Sequence, residues 1–182
     1  LKPPYDAIFK TLLDRADRHL AIDAKRVGDA AYRGRDQMSH ILQRLALAAL
    51  VTDDAKYARK AVELMLALAD RGFPFHGSHE DGAADLLVGL AIAYDWTYPA
   101  MTADERAKLR QALKTFGSSL STLMSAGGGA YGVMARRGGA AGHHVVALGG
   151  GGLGLLALTL RGELNRDFTN AWQQNADTCV HN

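Results

Sequence analysis

His143 and His144 stand side by side where a Gly- and Ala-rich stretch, Ala126 to Gly142, gives way to an apolar run from Val145 to Leu160. The first stretch cannot be a regular helix interior, whereas the second reads as a buried helix despite its glycines. A helix start carries partial positive charge and free N–H groups, so a paired imidazole at that junction suits the binding of acidic groups. The pair also has a plain reading, as capping or mutually hydrogen-bonded side chains. Upstream, the loop around Tyr131 carries enough glycine to let an aromatic ring stack on a sugar face or simply anchor the loop. Arg136 and Arg137 are natural partners of carboxylate or sulfate, or else solvated loop arginines. A second concentration, His76-Gly77-Ser78-His79-Glu80-Asp81, gathers two imidazoles and two carboxylates within six residues. His76 with His79 or Glu80 has the makings of a metal site. The alternative is that the acids cap a helix while His76, His79 and Glu80 line a binding mouth. The second is the reading adopted, with no metal and no cofactor. His19, His40 and His181 offer nothing beyond their local helices.

The elements that must position these residues are helical. From Asp36 to Val51 the apolar residues Met38, Ile41, Leu42, Leu45 and Ala49 recur every three or four positions. Thr52-Asp53-Asp54 is a break with capping chemistry, followed by a second helix with Tyr57, Ala61, Leu64, Met65 and Leu68 on one face. So short a turn makes an antiparallel hairpin. Gly72-Phe73-Pro74 ends that helix, Ser78 to Asp81 opens the next, and Pro99 stops it. Thr102-Ala103-Asp104-Glu105 is a capping box that starts a long helix through Leu109, Leu113, Phe116 and Leu120. An earlier helix is expected over Tyr5 to Arg26 and a last one from Asp167 to the end. Tyr94 and Trp96 read as core, and Asp95 between them as a buried, paired carboxylate. Five glycines lie between Gly149 and Gly154. Each costs roughly 0.8–1 kcal/mol against Ala inside a helix, which points to an inner helix crowded on several sides. The whole is an all-α chain of about seven helices in antiparallel hairpins, the order of a helical array or an incomplete (α/α) toroid.

Composition narrows the partners. The 182 residues suit one domain, here taken as residues 1–182, with 48% apolar and 22% charged residues and a net charge of +2. Charges of both signs are interspersed, and no basic arm or stacking platform for nucleic acid is visible. Cys179 is alone, so neither a disulfide framework nor a cysteine zinc site is available. No run of about 18 apolar residues is present to span a bilayer. Oligomeric state is not legible. The chain opens on Leu1 and is expected to be a mature or partial product.

The stretch Leu86-Leu87-Val88-Gly89-Leu90-Ala91-Ile92-Ala93-Tyr94-Asp95-Trp96, with Met101-Thr102-Ala103-Asp104-Glu105-Arg106 and Leu109, resembles the helix–turn–helix of heparinase II/III-like polysaccharide lyases. The helices from Ala31 to Asp70 are similar to the preceding hairpin of that family. The His143-His144 junction and its Gly-rich helix resemble the family's Asn-His element, although Gly142 or His143 stands where the family has Asn. The likeness covers roughly Ala31 to Gly162. It implies an incomplete α/α toroid, followed in the family by a β-sandwich domain this chain lacks, in a periplasmic or secreted protein that cleaves acidic polysaccharides by β-elimination. The family's catalytic Tyr and further site residues fall beyond this chain.

Such an enzyme removes the C5 proton of a uronate and expels the oxygen at C4. The proton is barely acidic until the neighbouring carboxylate is neutralised, after which a base and an acid are needed. His143 and His144 are the candidates for that work, and Tyr131, Arg136, Arg137, His76, His79 and Glu80 for substrate binding. Two rivals stand beside the lyase. A glycoside hydrolase on the same kind of scaffold needs two carboxylates, drawn from Glu80, Asp81 and Asp95. A non-catalytic glycan-binding helical module needs none.

Overall fold

The computed structural model describes residues 5–27, 38–72, 80–125 and 144–181, and over these residues the protein is all-α, with no sheet. Seven α-helices are described: α1 Tyr5–Leu20, α2 Met38–Thr52, α3 Ala55–Asp70, α4 Glu80–Thr97, α5 Ala103–Ser125, α6 His144–Thr159 and α7 Arg166–His181. Short 3₁₀ turns cover Ala24–Arg26 and Tyr98–Ala100.

Local chemistry accounts for the ends. The Asp54 carboxylate accepts the N–H of Lys56 at 3.0 Å and caps α3, while Asp53 takes a left-handed φ of 55° to turn the chain within two residues. At the other end of α3, Gly72 has φ +75° and its N–H reaches the Ala69 carbonyl, a glycine-terminated C-cap. The capping box at α5 forms in both directions: Glu105 N–H donates to Thr102 Oγ1 at 3.2 Å, and Thr102 N–H to Glu105 Oε2 at 2.8 Å. The Asn165 side chain accepts from Asp167 N–H and opens α7. The first helix is shorter than its periodicity predicts. It stops at Leu20, because Asp23 turns its carboxylate onto the N–H of Lys25 and starts a separate 3₁₀ turn.

The helices alternate between two layers. Ser39, at the start of α2, lies against Asp85 and Gly89 about the middle of α4, and the two helices pack side by side from there. Tyr94, late in α4, bonds Glu163 just beyond α6, which packs along α4, so their C-terminal ends coincide. Thus α2, α4 and α6 run parallel in a front layer. The back layer runs the other way. Arg59 and Asp70 of α3 meet Glu105 and Lys108 of α5 in the same order. Lys114 lies over Phe168, and Gly117 against Trp172, which sets α5 parallel to α7. Asp17 bonds Tyr57 and the Lys25 carbonyl accepts from Arg71, so the segment after α1 follows α3.

The core lies between the layers. Leu45, Leu64, Met65, Leu87, Leu90, Tyr94, Leu109, Leu113, Leu156 and Trp172 are all buried. Trp96 is half-buried against this core, as its spacing predicts. Asp95 is not the buried, paired carboxylate expected from the sequence: it is exposed. One residue is about 100° of helical rotation. That turns Asp95 away from the face Tyr94 buries.

Candidate functional site at one end of the front layer

Each front helix has one side that no other described helix covers. On α2 this open side carries the exposed His40 and Val51 with the half-buried Gln43, Arg44 and Leu47. On α4 it carries Asp85, Val88, Ile92 and the exposed Asp95, and on α6 the exposed Gly151 and Leu158 with Leu155. Its C-terminal half is mainly aliphatic, through Leu47, Val51, Ile92, Leu155 and Leu158, with Asp95 as its exposed carboxylate. Its N-terminal half is where chemistry concentrates.

Glu80 and His144 are the first residues of α4 and α6, so the two regions singled out in the sequence open neighbouring parallel helices at the same end. The side chains of Glu80, Asp81 and His144 lie outside what the structure describes. His76, His79, Tyr131, Arg136, Arg137 and His143 lie outside the described residues. Among the described residues no three His, Cys, Asp or Glu side chains are grouped to hold a metal ion.

A polar seam joins the start of α2 to the middle of α4 and was not legible in the sequence. The Ser39 hydroxyl donates to the Asp85 carbonyl at 2.7 Å and accepts from Gln43 Nε2 at 3.0 Å. Gly89 permits the close approach: a Cβ there would stand 2.6 Å from Ser39 Cα. The Asp85 carboxylate has one buried oxygen, Oδ2, with no hydrogen-bond partner. Glycine inside an apolar helical run is the signal that would have marked the seam.

The opposite end of the front layer is structural. The Tyr94 hydroxyl donates to Glu163 at 3.0 Å, and Arg110 pairs with the same carboxylate at 3.2 Å. Burial, reinforced by the Glu163 charge, pushes the Tyr94 phenol well above its ordinary range, so it remains a hydrogen-bond donor. Tyr98 stacks edge-on against Tyr94 and carries the Arg106 guanidinium on its other contact, 4.1 Å from the ring centroid.

No family model matches the chain, and no curated protein matches it. The likeness to the heparinase II/III-like lyases rests on the stretches quoted above. No helix among the described residues is long and apolar enough to cross a membrane.

Proposed function

We propose that this chain is the helical part of a polysaccharide lyase that cleaves uronate-containing glycans by β-elimination on an incomplete (α/α) toroid. The observation that carries the reading is that α4 and α6 run parallel with Glu80 and His144 as their first residues, which brings the two stretches singled out in the sequence to one end of the front layer. Parallel helices add their dipoles, so that end favours an anion, as a uronate carboxylate requires. Free N–H groups there, with Arg136 or Arg137, neutralise the carboxylate and acidify the C5 proton. His144 or His143 accepts that proton, the C4–O bond breaks, and the departing oxygen is protonated. A helix start also disfavours imidazolium and keeps the base neutral. Tyr131, His76, His79 and Glu80 contact the sugar in this reading, and an acidic polysaccharide in the periplasm or outside the cell is the partner.

Geometry weighs against the hydrolase. Asp81 and Asp95 stand 14 residues apart along α4, a helical rise of roughly 21 Å at 1.5 Å per residue. Carboxylates that flank a glycosidic bond are about 5–9.5 Å apart.

The test is the ultraviolet absorbance of the unsaturated uronate formed when acidic polysaccharides are screened with the protein. Replacement of the base is expected to lower kcat about 10²–10⁴-fold. Full turnover in both His143→Ala and His144→Ala would remove this reading of the site.

A further inference from the structure

We draw no further inference here: the strongest candidate, the mainly aliphatic half of the open face of the front layer, where Val51 and Leu158 stand exposed, carries none because nothing in the structure shows what covers it.

Discussion

Glu105 closes the capping box of α5 and also receives a two-pronged contact from Arg59, at 2.7 and 3.0 Å. The Arg59 guanidinium, followed by the Thr102 N–H, lowers the carboxyl from its ordinary 4.5 to about 2. A depressed folded-state value means that the charged form stabilises the fold. The contribution is complete above 4.5 and is lost as pH falls toward 2. The thermal midpoint of Glu105→Gln is therefore expected to lie below the parent's at neutral pH, with the gap closing through that acid window. A gap that persists undiminished at the acid end would show that the charge is not what stabilises α5. At this same scale the capping box was legible in the sequence, because both its bonds join residues three apart. The Arg59 contact was not, since its partners lie 46 residues apart.

Two glycines in front helices are expected to answer oppositely to alanine. At Gly89 a new Cβ meets the Ser39 backbone at 2.6 Å, and backbone cannot turn aside as a side chain can. Gly89→Ala should cost about 1–3 kcal/mol or more as α2 is forced from α4. At Gly151 a Cβ meets nothing within 4 Å, so Gly151→Ala should gain about 0.8–1 kcal/mol of helix propensity. Urea unfolding of the two variants measures both, and destabilisation at Gly151 would contradict the open face described for α6. The glycine run thus meets its predicted crowding unevenly. Gly154 sits close to Ala176, where a Cβ would lie at 3.2 Å, while Gly151 faces open space. Composition alone reports how many glycines a helix has, not which of its sides has a neighbour.

Across the whole molecule, the two layers are joined at α5, α6 and α7, where Trp172 and Leu156 meet Gly117. Trp172 is the largest fully buried side chain, and Trp172→Ala should cost about 3–5 kcal/mol in denaturant unfolding. A loss under 1 kcal/mol would mean that the back layer is not held through this contact. The helices, their hairpin turns and most of their caps were determined by sequence alone, because periodicity, capping and chain reversal act over three to seven residues. The parallel front layer, the outward turn of Asp95 and the Ser39–Gly89 seam were decided only by tertiary structure. Each depends on which side of a helix its distant neighbours cover, and that is settled by packing between segments far apart in the chain.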